Sequence, residues 1–385
     1  MLFLSPAKKS YLGVDLGTGS IKIVELSNYK NRARLETYGY IDMVSDILRS
    51  NTTSARKQIA NAIKQLVQKS KVKTNKCVAA LPTFSVFNSI ISLPYLSKKD
   101  LAQAIRWEAK KYVPLPIEEM ILDWKILAED KQDLTNHEIK TDLPEGLDQP
   151  LENKASDKTT LGNILKQKNS NKFIKVLLTA APKSLVSRYL EIFKEADLKL
   201  LCLETEAFAL ARCLIGHDQS TLMIVDIGAT TTDICIIEKG LPIINRSLDT
   251  AGSAITNSIA SSLNINLDRA EQFKRDYGVN LTENISSDGV SKIIAESLNP
   301  VINEVKYVFD IYQKQADNKI EKIILAGGSV FLPNLTDYLA KIFGIKVIIG
   351  NAWDRVIYPL DLKPVLEEVG SRLTVAIGLA MREIS

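Results

Sequence analysis

Two stretches of this chain have the residue types to hold a phosphate and the spacing to do so together. Val14-Asp15-Leu16-Gly17-Thr18-Gly19-Ser20-Ile21-Lys22-Ile23-Val24 is matched position for position by Val225-Asp226-Ile227-Gly228-Ala229-Thr230-Thr231-Thr232-Asp233-Ile234-Cys235. Each runs from an apolar β-type segment into an aspartate, then a turn of glycine and hydroxyl residues, then a second β-type segment. That order predicts a hairpin whose loop offers backbone N–H groups and hydroxyls to an anion. Glycine lets the backbone turn sharply and approach a phosphate. Asp15 and Asp226 could each hold a divalent cation through its waters, as magnesium prefers. One such turn is common and carries little weight. Two in one frame suggest two related domains facing one nucleotide.

The paired hairpins resemble those of the ATP-binding superfamily that contains actin, hexokinase and the heat-shock chaperones. A third element fits: Ile323-Ile324-Leu325-Ala326-Gly327-Gly328-Ser329, followed by Phe331-Leu332-Pro333-Asn334-Leu335. In that superfamily a strand ending in Gly-Gly lays its backbone against adenine and ribose, where a side chain would collide with the ligand. The resemblance therefore implies ATP and Mg2+ as cofactors. It puts Gly17, Thr18, Gly19 and Ser20, with Gly228, Ala229, Thr230 and Thr231, around the phosphates. Gly327, Gly328 and Ser329 fall at the adenosine, and Asp15 and Asp226 near the metal through water.

Single residues leave more than one reading open. Lys22 could balance phosphate charge or be an exposed strand lysine. Glu206 aligns with the acid that heat-shock chaperones place near the attacking water; a carboxylate there can orient water towards the γ-phosphoryl group. It is equally read as a helix-start acid favoured by the dipole. Asp233 is a polar strand residue or a metal-proximal acid. Glu271 and Lys274 lie three apart on one helical face; they resemble the acid and lysine that meet ribose and base, and otherwise form a surface ion pair. Gly252 precedes a helix whose N-terminus could face phosphate. Gly378 reads as a close helix crossing at a hinge. His137 and His217 sit in polar surroundings and support neither a metal site nor histidine catalysis.

Composition excludes several classes. With 385 residues, 45% of them apolar and 24% charged, the chain can fill two or three ordinary globular domains. A net charge of +4 with acids interleaved gives no case for nucleic acid. No apolar run reaches the roughly 20 residues that span a bilayer, and the N-terminal apolar stretch is too short for a signal-peptide core. The four cysteines lack CxxC spacing and read as reduced core thiols in a cytoplasmic protein.

Periodicity supplies the elements that would position these residues. Short alternating runs over 11–44, a helical pattern over 54–69 and a strand at 76–81 predict a three-stranded meander, a helix and a strand. Residues 86–127 and 173–196 form an additional αβ unit, with a helix capped at Ser97 and stopped by Pro114 and Pro116. Glu108-Ala109-Lys110-Lys111-Tyr112-Val113-Pro114-Leu115-Pro116-Ile117-Glu118-Glu119, with Leu122-Asp123-Trp124 beyond it, resembles the type IV pilus PilM family, a relative of the cell-division FtsA family. So does the opening at Ser10-Tyr11-Leu12-Gly13-Val14-Asp15.

The expected fold class is α/β: an actin-like, two-lobed ATPase fold with duplicated core domains and an inserted subdomain of the FtsA and PilM type. The first core domain is expected at 8–86 and 197–216, and the inserted subdomain at 87–196 with a disordered loop at 129–172. The second core domain is expected at 217–249 and 318–369, a helical subdomain at 250–317, and a hinge helix at 370–385 packing on the first core domain. The loop carries nine acidic and seven basic residues and too little apolar content to fold alone.

The resemblance to the PilM family implies a cytoplasmic ATP-binding component of type IV pilus assembly or a related type II-like secretion system, with at most slow hydrolysis. It implies docking on the cytoplasmic N-terminal tail of a PilN-like membrane protein, in a groove between the first core domain and the inserted subdomain. The membrane would be reached only through that partner. Contacts with other pilus assembly proteins are implied, a homo-oligomer is allowed, and nucleic acid is not expected. FtsA is the second reading, weighed down by the absence of a terminal amphipathic helix. A sugar or acetate kinase is the third, without a sugar-reading motif.

Overall fold

A computed structural model describes residues 9–42, 47, 50–94, 96–127, 173–279, 289–315 and 318–384. The loop expected at 129–172 lies outside them. Two compact units result, one from Met1–Phe87 with Ala181–Ser385 and one from Asn88–Ala180.

The chain begins with strands β1 (Ser10–Gly17), β2 (Ser20–Tyr29) and β3 (Arg32–Asp42), helix α1 (Thr53–Lys69) and strand β4 (Lys76–Leu81). Then come β5 (Phe87–Pro94), α2 (Lys98–Ala109), β6 (Met120–Leu127) and β7 (Phe173–Pro182), which make a three-stranded sheet in the order β5-β7-β6 with α2. Ser97 caps α2 by accepting a bond from the Asp100 amide, as its sequence predicts.

The larger unit resumes with α3 (Lys183–Glu195), β8 (Lys199–Thr205) and α4 (Glu206–Leu214). Strands β9 (Leu222–Ile227), β10 (Thr232–Glu238) and β11 (Leu241–Leu248) precede helices α5 (Gly252–Leu263), α6 (Leu267–Tyr277) and α7 (Gly289–Gln315). The chain finishes with β12 (Lys322–Ala326), α8 (Leu335–Phe343), β13 (Lys346–Ile349), β14 (Val356–Ile357) and α9 (Lys363–Met381).

Two sheets of the larger unit repeat one topology. In the first, β3-β2-β1 is an antiparallel meander extended by parallel β4 and β8, with β14 added at the β3 edge. In the second, β11-β10-β9 is the meander, extended by parallel β12 and β13. The duplication seen in the hairpin motifs is thus a duplication of whole sheets.

Helices α4 and α9 lie between the sheets, where Ala207, Leu210, Val375 and Leu379 share one apolar core with Val78, Ile224 and Ile324. Glycines allow α9 to approach both α4 and β1 closely: a Cβ on Gly378 would sit 2.0 Å from the Ala209 carbonyl oxygen of α4, and one on Gly13 of β1 1.9 Å from that of Ala376. Gly378 therefore has the close-crossing role its sequence context suggests.

Two boundaries differ from the sequence reading. Helix α9 starts at Lys363, not near 370, because Pro364 at the first turn is compatible with helix initiation. Helix α3 packs with the larger unit: Tyr189, Ile192 and Phe193 are buried in one core with Ile59 and Ile63 of α1.

Candidate functional site

The two hairpin turns meet at the tips of their sheets. In the first, Gly17 pairs with Ser20, leaving a two-residue loop of Thr18 and Gly19. In the second, Ile227 pairs with Thr232, and the Gly228 amide donates to the Thr231 carbonyl at 3.0 Å to close the turn. A Cβ on Gly19 would lie 2.3 Å from the Ala229 Cβ, so only glycine lets the turns come this close. The Thr18 and Thr230 hydroxyls hydrogen-bond across the gap.

A cavity of about 870 Å3 opens beside this contact. Its walls include Asp15, Gly17, Thr18, Gly19, Ser20 and Lys22 from the first hairpin, and Asp226, Gly228, Ala229 and Thr231 from the second. Glu206 from α4, Gly252 from α5, Glu271 and Lys274 from α6, and Gly327, Gly328 and Ser329 after β12 complete it. Every site residue expected from the sequence is here except Thr230, whose hydroxyl is engaged with that of Thr18. Three motifs far apart in sequence therefore converge on one space.

The glycine-rich segment after β12 is tied to the second hairpin. The Ser329 amide donates to the Ile227 carbonyl at 3.1 Å and its hydroxyl to the Gly228 carbonyl at 3.0 Å. Gly327 has φ +93°, and a Cβ there would fall 2.4 Å from both Asp226 Oδ1 and the Ile227 carbonyl oxygen. Glycine is thus required at 327 by the chain itself, not only by a ligand. Gly328 differs, since the nearest atom to a Cβ there is Arg372 Nε at 3.6 Å.

The N-terminus of α5 is not the free anion site that Gly252 suggested. The Gly252 amide donates to the Gly228 carbonyl at 3.2 Å and the Ser253 amide to the Ala229 carbonyl at 2.8 Å. These bonds lock the helix to the hairpin; they do not present those donors to the cavity.

Charge at the hairpins is uneven. Lys22 Nζ donates to Asp15 Oδ2 at 2.7 Å, from directly across the strand pair. Burial works against the lysine's charge, but Asp15, with Asp226 and Glu206 beyond it, holds its pKa above the ordinary value. Burial pushes Asp226 up to about 7, reinforced by the facing Asp233, with Lys22 opposing. Asp233 is raised to about 6, again chiefly by burial. The Ser247 and Thr83 hydroxyls oppose that rise from nearby, yet Oδ1 of Asp233 closes no hydrogen bond of ordinary geometry. Glu206 is held well above the carboxylate range by burial, then by Asp233 and Asp15.

At the far wall Lys274 Nζ lies 2.6 Å from Glu271 Oε2 and donates to Thr256 Oγ1 at 3.0 Å and the Gly252 carbonyl at 3.2 Å. The Thr256 hydroxyl lies 2.7 Å from the same Glu271 oxygen. Burial lowers the Lys274 pKa, whereas Glu271 is held below its ordinary value because the Lys274 and Thr256 bonds outweigh burial. The pair is a partly buried network and not a plain surface ion pair.

Sequence reasoning missed Thr256, Arg372 and Thr83. Thr256 had a signal, being one helical turn beyond Gly252 on the same face. The others are brought to the site only by tertiary packing. Among the described residues, no three His, Cys, Asp or Glu side chains converge to cage a metal.

Comparison with known proteins agrees with the architecture. The cell division protein FtsA of Staphylococcus epidermidis is 21% identical over 359 residues, 88% of this chain and 73% of that protein. FtsA of Neisseria meningitidis serogroup B is 28% identical over 196 residues, 45% of this chain and 46% of its own length, so this match spans about half of each protein. Among solved structures, a PilM-PilN type IV pilus biogenesis complex superposes with a TM-score of 0.76 at 24% identity, covering 97% of this chain and 98% of that one. The ethanolamine utilization protein EutJ of Carboxydothermus hydrogenoformans superposes at 0.52 with 15% identity, over 98% and 90% of the two chains. The fold is the mixed α/β, two-lobed fold of the actin-like ATPases. The profile of the type IV pilus assembly protein PilM matches residues 13–142 and 149–384, nearly the whole length, and the chain belongs to that family.

Proposed function

We propose that the chain binds Mg-ATP in this cavity and serves as a nucleotide-responsive component of type IV pilus assembly. The observation that carries the reading is the convergence of both hairpin turns, the Gly327-Gly328-Ser329 segment and the Glu271–Lys274 pair on one cavity. The residues present suit such a ligand. Asp15, Asp226, Asp233 and Glu206 cluster about Lys22, and Oδ1 of buried Asp233 lacks a hydrogen bond of ordinary geometry. A hydrated divalent cation accompanying the nucleotide would supply the missing positive charge. Asp15 and Asp226 would hold it through water, as magnesium binding favours.

The protein's part in turnover is positioning. Lys22 screens phosphate charge beside Asp15, the turn amides and hydroxyls orient the phosphates, and Glu206 orients the attacking water. Glu206 can accept a proton from that water only in its ionised form, which burial and the nearby Asp233 and Asp15 carboxylates disfavour. Hydrolysis is accordingly slow. Glu206→Gln lowers the single-turnover rate at least tenfold and leaves Mg-ATP affinity within about twofold; a wild-type rate in that variant would reduce Glu206 to a helix-start acid.

For the partner, the reading is docking of the cytoplasmic tail of a PilN-like membrane protein on the Asn88–Ala180 unit, with closure of the two nucleotide-binding lobes set by the ligand. Family membership supports it. So does the absence, among the described residues, of a helix long and apolar enough to cross a membrane. The chain would then be peripheral at the inner face of the cytoplasmic membrane through its partner. A pull-down with the synthetic tail peptide, and membrane fractionation with and without the membrane protein, test this. Failure of peptide capture in every nucleotide state, or membrane association without the partner, rejects docking.

A further inference from the structure

Thr83 opens a one-turn helix, Thr83–Ser85, just after β4 and four residues before the chain passes into the second unit. Its amide donates to Glu206 Oε2 at 2.9 Å, and its hydroxyl donates to the same oxygen at 2.8 Å. Thr83 is itself buried, with only 8% of its surface exposed. None of the described hydrogen bonds engages the other carboxylate oxygen, Oε1, and Glu206 lines the cavity. One oxygen is therefore fixed by two donors while the other remains for a water. Two donors from one buried residue restrain the position of that oxygen more than one would.

We infer that Thr83 is the positioning residue for Glu206: its paired donors aim the carboxylate at the attacking water during nucleotide hydrolysis. This rests on the reading of Glu206 as the water-orienting acid. Thr83 is absent from the cavity wall and meets the site through Glu206, to which both its donors bond, with its hydroxyl also near Asp233. Burial and the carboxylates of Asp233 and Asp15 favour the neutral form of Glu206, and the two Thr83 bonds are the groups that oppose them. A carboxylate so placed loses both orientation and ionised population when the hydroxyl is removed.

The test is single-turnover hydrolysis of radiolabelled Mg-ATP by the full chain in five forms: wild type, Thr83→Val, Thr83→Ser, Glu206→Gln and the Thr83→Val/Glu206→Gln double variant. Valine keeps the shape and the amide but removes the hydroxyl. The expected result is a loss of about tenfold in the single-turnover rate constant for Thr83→Val, the size of one hydrogen bond to a charged group. The concentration giving half the maximal single-turnover rate stays within about twofold, Thr83→Ser restores the rate, and the double variant is no slower than Glu206→Gln. A wild-type rate for Thr83→Val beside a slowed Glu206→Gln overturns the inference alone. A Thr83→Val loss that serine does not rescue, or that persists in the Glu206→Gln background, marks a merely structural residue and overturns it too. If Glu206→Gln itself hydrolyses at the wild-type rate, the underlying reading of Glu206 fails instead.

Discussion

Asp226 and Asp233 face one another directly across β9 and β10, in the positions that Asp15 and Lys22 occupy across β1 and β2. The duplicated hairpin has thus kept its backbone and inverted one charge. In the first copy the cross-strand pair is an ion pair at 2.7 Å. In the second it is two carboxylates, an arrangement that is unfavourable unless a proton or a cation intervenes.

That inversion predicts a pH dependence. Asp226, raised to about 7, and Asp233, raised to about 6, bind protons more tightly folded than at their ordinary value of 3.8. Between 3.8 and about 7 the folded state holds more protons than the unfolded state, so this stabilisation is full below the window and is lost as pH rises through it. Without divalent cations, the melting temperature of the wild type should fall from pH 5 to pH 8 more steeply than that of Asp233→Asn. Parallel curves for the two proteins would show that the facing carboxyls are not coupled.

The two glycines after β12 should behave differently. Gly327→Val forces a left-handed backbone position and drives Cβ into Asp226 and Ile227. It should cost roughly 2 kcal/mol or more in urea unfolding whether or not nucleotide is present. Gly328→Val meets only the far end of Arg372. It should leave the unfolding midpoint nearly unchanged and weaken adenosine nucleotides strongly. Normal affinity in a folded Gly328→Val protein would move the base away from this segment.

Much of the fold was legible in the sequence because its signals are local. Alternation fixed the hairpins, and Gly-hydroxyl turns fixed their loops. Strand β8 was not legible: Lys199–Thr205 is a strand because it pairs with β4, more than a hundred residues earlier. The site divides in the same way. Asp15, Asp226 and the Gly327-Gly328-Ser329 segment could be found because each sits at a turn with its own signature. Thr83 could not, since nothing near it in sequence announces a bond to Glu206.

Glu271 and Arg275 offer a contrast in burial. Glu271→Ala leaves Lys274, whose side chain is 11% exposed, without its anion and should cost about 1–2 kcal/mol. Arg275→Ala removes a partner whose side chain is 69% exposed and should cost under about 0.5 kcal/mol. Urea midpoints at constant m-value read both. Equal losses would mean that Lys274 finds sufficient compensation in Thr256 and the Gly252 carbonyl.

Calorimetric titration of Mg-ATP into the wild type, Asp15→Ala and Asp226→Ala tests most directly whether the paired hairpins form a nucleotide site. Saturable, magnesium-dependent binding to the wild type is expected, weakened at least tenfold in each variant because each loses a carboxylate that holds the hydrated cation. Unchanged affinity in both variants, or no binding to the wild type, would contradict the assignment of this cavity to ATP.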